Sequence, residues 1–465
     1  MLEPKKYHPL STIHGLYRGY QTGSSKPSVV VRNYLDEIER LNPKLGAYQE
    51  VWADTAMEMA AAADKALAAG YFLGPFHGVP YALKDIFHVK GKVTTCGSAA
   101  MLDNVAGTTA TVVERLTAAG GIILGKTKTV ECAFGGWGTN QKLGTPINPW
   151  DMNAHRIPGG SSSGTAVAVA ANMSPSGMGS DTGGSVRLPA AYCGVVGLKV
   201  TAGRLPLHGV MPLSQTLDSP GPIAKTILDC LIMFDVLDGR EGWQITRDME
   251  KGDGTYSLLD RGVSGLRLGS LNESERQQCS DDILASYDMA LDRLRLMGAE
   301  IITFENPVSY GDMADDNGMI TAVEAFHNHG YLYKNPDLPM DEDVRARMLS
   351  GGRYHAHDYF GILQQRKETM EAFGESMRGF DALVMPSSTS TAPILNEDQA
   401  LSPGHFTRPF NFLEMCGLSL PIDLAANELP TSLQIVGRAH DEGICLRIGA
   451  ALERDLEPIG QPDLP

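Results

Sequence analysis

The sequence has few of the features that mark secreted, membrane or nucleic-acid-binding proteins. Seven cysteines are scattered along 465 residues without a CxxC pair, a pattern that indicates reduced thiols and a cytoplasmic location. No uncharged apolar run reaches the roughly 18 residues of a membrane span, and residues 1–8 lead into no apolar segment of a signal peptide. The formal net charge of −16 argues against direct contact with nucleic acid, which favours basic surfaces.

Sequence patterns for metals and nucleotides are equally scarce. His327-x-His329 and His355-x-His357 have no cysteine or carboxylate at a metal-ligand spacing, so we expect surface histidines. Gly120–Thr127 fits the phosphate-loop spacing GxxxxGK[ST], but the intervening Gly-Ile-Ile-Leu is typical of a buried strand. We therefore expect no nucleotide site, no metal and no organic cofactor.

The rest of the composition is that of a globular α/β protein. Helical segments alternate with short apolar strands, which predicts a large central sheet covered by helices on both faces. Without a repeat or a long linker, residues 1–465 are expected to form a single domain. Its predicted parts are an N-terminal helical layer (1–75), a core (76–237) and a C-terminal part (238–465) that includes helices at about 310–380.

The local pattern gives more detailed expectations for individual elements. Residues 10–70 are predicted to be helical, with one helix ended by Asn42-Pro43. The other predictions are strands at 76–84 and 122–124, a turn at 218–224, a surface excursion at 239–262, a β-α-β unit at 265–304, strands at 380–385 and 432–436, and a final helix at 442–453.

The stretch from Pro158 to Arg187 contains the strongest functional pattern in the chain. It has two Gly-Gly-Ser turns, at 159–161 and 183–185. A turn that presents a hydroxyl beside bare backbone N–H groups can supply a nucleophile and an oxyanion hole together. No histidine lies in either turn, so a Ser-His-Asp arrangement has no support near this site.

Several segments together resemble the amidase signature family, over nearly the whole chain. The matching segments are 78–85, 125–127, 148–149, 159–164, 179–190, 193–199 and 218–224, with a weaker likeness at 33–35, 408–411 and 433–437. The resemblance implies a mixed, twisted sheet and a Ser–cisSer–Lys triad. In that triad Ser185 is the nucleophile, Ser161 is the bridging serine after a cis peptide bond from Gly160, and Lys84 is the base. Only Ser161 fits the family's register, but Ser162 stays an alternative because three serines follow one another.

A lysine can act as this base only in its neutral form. At the ordinary lysine pKa of about 10.4, roughly one side chain in two thousand is neutral at pH 7. Burial lowers the pKa of lysine, and the apolar strand Val79–Leu83 can supply that burial for Lys84. Neutral Lys84 would then take a proton from Ser161, which takes one from Ser185.

Further residues complete the predicted site. The backbone N–H groups of Thr182, Gly183, Gly184 and Ser185 are expected to form the oxyanion hole. Asp181 and Arg187 are expected to be a supporting ion pair, and Phe134 and Trp137 resemble the family's acyl-pocket wall.

The predicted function is hydrolysis of a small-molecule carboxamide to a carboxylate and ammonia or an amine. The alternative is an A-type component of an amidotransferase, in which the same triad releases ammonia from glutamine for a partner that acts on tRNA. In that alternative, Arg347 would bind the substrate's α-carboxylate. A homodimer is a prediction from base rates alone.

Overall fold

The computed structural model describes residues 8–397 and 401–465, and a single sheet runs through this part of the chain. The sheet has eleven strands in the order β1-β3-β2-β4-β6-β5-β10-β11-β9-β7-β8. The strands are β1 (Tyr48–Val51), β2 (Pro80–Lys84), β3 (Ile122–Thr127), β4 (Ser176–Asp181), β5 (Val196–Lys199), β6 (Ser219–Ala224), β7 (Arg267–Ser270), β8 (Glu300–Thr303), β9 (Ala382–Pro386), β10 (Cys416–Leu424) and β11 (Pro430–Gly437).

The sheet is mixed, and helices flank it. The helices are α1 (Ile13–Thr22), α2 (Pro27–Leu45), α3 (Ala53–Ala68), α4 (Thr111–Ala118), α5 (Ser163–Ala170), α6 (Arg187–Cys193), α7 (Ile227–Leu237), α8 (Gly242–Lys251), α9 (Gly254–Leu259), α10 (Glu273–Arg276), α11 (Asp281–Leu296), α12 (Tyr310–Tyr333), α13 (Glu342–Ser350), α14 (Ala356–Ser376), α15 (Arg408–Phe412) and α16 (Glu442–Asp455). The predicted single-domain α/β fold with a large mixed sheet is therefore confirmed. In the described residues, no helix combines the length and apolar character needed to cross a membrane.

The predicted turn at 218–224 is wrong, because most of it forms β6. This strand pairs antiparallel with β4 and with β5, so it lies inside the sheet. Pro220 and Pro222 lack N–H groups, yet they are two residues apart and their missing donors lie on the same side of the strand. Gly221 and Ile223, on the other side, keep their donors, so the strand tolerates its two prolines.

Three other local predictions need correction. The helix expected to end at Asn42-Pro43 continues to Leu45, and it ends where Gly46 takes a φ of 63° and donates its N–H to Asn42. The segment 239–262 is not an irregular excursion, since it forms α8 and α9. The predicted helical layer also contains a strand, β1, which pairs with the edge of β3.

Other predictions are confirmed by the structure. The β-α-β unit is present as β7, α11 and β8, with the two strands parallel. Residues 310–380 are mostly helical. Lys126 of the apparent phosphate loop is buried in β3, where its Nζ lies 2.9 Å from Asp85 Oδ1, so it cannot cradle a phosphate. His329 is the exception among the histidines predicted to be at the surface, because it is buried and bonded to the carbonyl of Pro212.

The strand order explains where the site forms. β2 pairs parallel with β4, with Leu83 opposite Met178. The carboxyl ends of parallel strands meet at the same edge of a sheet. Lys84, at the end of β2, therefore lies beside Ser180 and Asp181 at the end of β4.

Candidate active site

Lys84 is the centre of a buried group of hydroxyls. Its side chain is fully buried, and its Nζ lies 2.7 Å from Ser161 Oγ and 2.8 Å from Ser180 Oγ. Both distances are those of hydrogen bonds. The structure thus places the predicted lysine against the predicted bridging serine.

Burial lowers the pKa of Lys84 to about 7, because the ammonium form loses its hydration in this strand. The nearby Cys96, Asp218 and Asp181 oppose this effect, since negative charge favours the protonated lysine. Burial dominates. A large fraction of Lys84 is therefore neutral near pH 7, as general-base chemistry requires.

Ser161 is held by its backbone as well as by the lysine. The peptide bond from Gly160 to Ser161 is cis, as the family resemblance implied. The carbonyl of Ser161 accepts hydrogen bonds from Thr129 Oγ1 and from the N–H of Val130. The position therefore has a defined orientation.

Ser162 has a different role from Ser161. Its hydroxyl donates to the carbonyl of Ser180 and accepts from the N–H of Ser180, each at 3.3 Å. Its own N–H donates to the carbonyl of Ser185, also at 3.3 Å, and so connects the two serine turns. The alternative that Ser162 bridges is not supported by this geometry, because Ser161 makes the contact with Lys84.

The loop from Thr182 to Ser185 connects β4 to α6 and lines the pocket. Gly184 has a φ of 122°, and a Cβ there would lie 2.2 Å from Thr407 Oγ1, so a larger residue does not fit. The hydroxyl of Ser185 is at the pocket wall and forms no hydrogen bond within the described residues. It is accessible to a ligand.

Asp181 and Arg187 form the predicted ion pair, and both side chains are fully buried. Asp181 accepts hydrogen bonds from the N–H groups of Gly184 and Val186, at 2.7 and 3.1 Å. Arg187 also contacts Gln434 Oε1 at 2.6 Å and Asn411 Oδ1 at 2.5 Å. Although burial alone would raise the pKa of Asp181, the charge of Arg187 holds it well below its usual range. The pair is charged, and it fixes the loop.

These contacts change the predicted oxyanion hole. Gly184 was expected to contribute its N–H, but that group donates to Asp181 and is not free. Within the described part of the chain, the N–H groups of Thr182, Gly183 and Ser185 have no acceptor, and all three residues line the pocket. The available donors are therefore three instead of four.

The pocket beside Ser185 has a volume of about 60 Å³, a size that admits only a few non-hydrogen atoms. Its walls come from the loop at 133–136, the loop at 182–185, α12, α13 and the start of α15. The residues that line it are Ala133, Phe134, Gly135, Gly136, Thr182, Gly183, Ser185, Leu188, Leu213, Asn317, Gly318, Thr321, Arg347, Gly404 and Arg408.

The structure separates the three predicted pocket residues. Phe134 and Arg347 line the pocket, and Arg347 Nε donates to the carbonyl of Phe134 at 3.0 Å. Trp137 does not line it. Its ring instead packs against a small cluster of Ile157, Tyr192 and Ala392, because Gly138 and Gly160 approach each other and turn the chain away from Ser185.

Four further residues at the site were not predicted. Ser180 contacts Lys84 and had a signal, since it precedes Asp181 at the end of a strand beside β2. Asp218 accepts a hydrogen bond from Thr182 Oγ1, and burial raises its pKa to about 6. Asn317 Nδ2 donates to the carbonyl of Thr182. Arg408 lines the pocket, and no local pattern indicated its role.

Comparison with known proteins places the chain in a well-populated group. It matches the protein-family model described as Amidase over residues 29–446. The A-type component of the glutamyl-tRNA(Gln) amidotransferase of Anaeromyxobacter sp. (strain K) is 35% identical over 468 residues, which cover 94% of each protein.

Two solved structures extend this comparison to the fold. One, a crystal structure of an amidase, superposes with a TM-score of 0.86 at 28% identity and covers 96% of this chain and 100% of that chain. The other, the A-type component of the glutamyl-tRNA(Gln) amidotransferase from Thermotoga maritima, superposes with a TM-score of 0.76 at 27% identity and covers 93% and 94%.

Proposed function

Because the chain belongs to the amidase family, we propose that it hydrolyses a small carboxamide through an acyl-enzyme on Ser185. The family acts on amide C–N bonds, and the products here would be a carboxylate and ammonia or an amine. The contact that carries the proposal is the 2.7 Å approach of Lys84 Nζ to Ser161 Oγ, next to a pocket lined by Ser185.

The proposed first step transfers a proton along the buried hydroxyls. Neutral Lys84 takes the proton of Ser161, and Ser161 takes the proton of Ser185 as the Ser185 oxygen attacks the amide carbon. Catalytic hydrogen bonds commonly tighten only when substrate is bound. A free Ser185 hydroxyl at the pocket wall is consistent with such a step.

The negative charge of the tetrahedral intermediate would be held by backbone donors. The free N–H groups of Thr182, Gly183 and Ser185 support this role. Collapse of the intermediate breaks the C–N bond, and the proton stored on Lys84 returns through Ser161 to the leaving nitrogen. Water then attacks the acyl-enzyme, with the same groups acting as base and donors.

Labelling with a fluorophosphonate tests the nucleophile. The purified chain should be labelled at Ser185 and should hydrolyse simple amides. Ser185→Ala should lose labelling and at least about a thousandfold of kcat. Exposed Ser274, changed to alanine, is the matched control and should keep both. Full amide hydrolysis by Ser185→Ala would disprove the proposal.

The second candidate is an A-type component of a tRNA-dependent amidotransferase, which is favoured by the names of relatives such as the protein from Anaeromyxobacter. Against it, the fold superposes better on an amidase than on the Thermotoga protein, with TM-scores of 0.86 and 0.76 at similar identity. We propose the independent enzyme for this reason. Turnover of simple amides by the purified chain, without ATP or a second protein, supports it, and turnover only with a partner would support the alternative. The cytoplasmic location and the homodimer stay predictions.

A further inference from the structure

The pocket beside Ser185 has a charge opposite to that of the whole protein. The chain has a formal net charge of −16, yet the charged residues that line this pocket are two arginines, Arg347 and Arg408. No aspartate or glutamate is among its lining residues in the described chain. Such a local excess of positive charge attracts anionic ligands.

Arg408 is held in place by small residues on both sides of its side chain. A Cβ on Gly183 would lie 3.0 Å from Arg408 Cγ, and a Cβ on Gly404 would lie 3.0 Å from its Nε. A Cβ on Gly318 would lie 3.8 Å from Nη1. The aliphatic part therefore packs against the proposed oxyanion loop, with the guanidinium directed along α12.

Neither guanidinium has an ion-pair partner within the described residues. Arg347 uses its Nε for the carbonyl of Phe134, and its Nη2 is near Gly135. The side chain of Arg408 forms no hydrogen bond with the same part of the chain, although Asp315 on α12 adds a weak favourable field. By contrast, Arg366, which is also buried, contacts Phe412, Asn411 and Glu414.

An unpaired guanidinium in a partly desolvated pocket is costly, and a carboxylate is the group that best completes it. The five donors of arginine form a planar fork that binds a carboxylate through two parallel hydrogen bonds. Two such forks on facing walls beside the nucleophile would orient the acyl part of a substrate. A neutral amide would leave both unpaired.

We infer that the substrate is an amide whose acyl part carries a carboxylate, and that Arg408 binds this carboxylate together with Arg347. The inference rests on the proposed amide hydrolysis and narrows its substrate class to monoamides of dicarboxylic acids and related anionic amides. Arg408 is thereby a specificity-determining residue that contacts substrate without taking part in proton transfer.

Isosteric pairs of amides test the charge alone. Succinamate and succinamide differ by a carboxylate in place of a second carboxamide, and malonamate and glutaramate vary the spacer. We expect kcat/KM to be about 10- to 100-fold higher for the anionic member, since hydrogen bonds to charged groups are strong. Arg408→Gln should remove this preference and leave turnover of the neutral diamide within about threefold. Arg408→Lys should keep part of it.

The matched control is Arg378→Gln, which removes an exposed arginine far from the pocket lining. It should keep the full preference for the anionic amides. Equal kcat/KM for succinamate and succinamide in the unmodified enzyme would overturn the inference, as would a preference that survives Arg408→Gln.

A binding measurement separates this inference from the proposed function. In the Ser185→Ala background, calorimetry should show succinamate binding at least about tenfold more tightly than succinamide, with Arg408→Gln removing the difference. This result stands even if no amide is turned over. Conversely, turnover of neutral amides with no selective binding of succinamate would leave the proposed function intact and overturn the inference.

Discussion

Lys84 shows how strongly one side chain depends on its surroundings. It ends a strand whose five residues are all buried, so water cannot stabilise its charge. Ser161 and Ser180 offer hydroxyls but no formal negative charge to replace that hydration. A lysine in this position is a base, whereas at the surface it would be a cation.

The pH dependence of kcat/KM should report this residue. Since burial lowers the pKa of Lys84 to about 7, the neutral fraction falls as the pH drops below 7. We expect an acid limb with a midpoint near pH 7 and slope one, and near-complete loss of activity in Lys84→Ala. A profile flat from pH 5 to 8 would contradict the assignment.

Asp218 needs a control in this experiment, because burial raises its pKa to about 6 and it could titrate in the same range. Its negative charge raises the pKa of Lys84. Asp218→Asn should therefore keep the acid limb and move its midpoint to lower pH. If the limb disappeared in that variant, Asp218 would be the titrating group.

The triad was accessible to sequence reasoning because each member lies in a short, distinctive segment. Lys84 ends an apolar strand, and Ser161 and Ser185 follow paired glycines. Other roles depend on contacts that no local pattern contains. Gly184 resembles its neighbours in sequence, but only the folded loop shows that its N–H belongs to Asp181.

At the scale of elements, the loop between β4 and α6 depends on a single buried ion pair. Asp181 binds two backbone N–H groups of this loop and the guanidinium of Arg187. Arg187 in turn contacts α15 through Asn411 and β11 through Gln434. The conformation of the nucleophile's loop is therefore tied to the C-terminal part of the chain.

Arg187→Met should be strongly destabilising. It leaves the carboxylate of Asp181 buried without its partner, a change that typically costs about 3–5 kcal/mol of unfolding free energy. Chemical denaturation monitored by circular dichroism measures this loss. Arg378→Met, which breaks the exposed pair with Glu375, is the control and should cost less than about 1 kcal/mol. Equal effects in the two variants would show that the buried pair has no special role.

Sequence patterns predicted elements best where one periodicity dominated. The stripe on α2 that includes Val31, Leu35 and Ile38 is buried as expected. β6 was missed because Pro220 and Pro222 read as turn residues, although their spacing suits one side of a strand. β10 was missed as well, since its pairing with β5 and β11 is visible only in three dimensions.

At the scale of the whole molecule, the two halves of the chain share one sheet. β10, from the C-terminal part, pairs with β5 from the core, and β11 lies between β10 and β9. The boundaries proposed at 75 and 237 therefore remain a description of sequence, and the sheet crosses both of them.

Fragments cut at the second boundary should not fold separately. Residues 1–237 would expose β5 as an unpaired edge, and residues 238–465 would expose β10. Circular dichroism and hydrogen exchange of each fragment should show little protected structure, whereas mixing them should restore some. Two independently cooperative fragments would show that the chain has two domains.

The contacts of Arg187 with Asn411 and Gln434 have a consequence for biosynthesis. A nascent chain still attached to the ribosome contains Lys84, Ser161 and Ser185 long before Gln434 has been translated. Until β11 emerges, the guanidinium lacks two of its acceptors and the nucleophile's loop is not fixed. The enzyme is thus switched on only near the completion of its own synthesis.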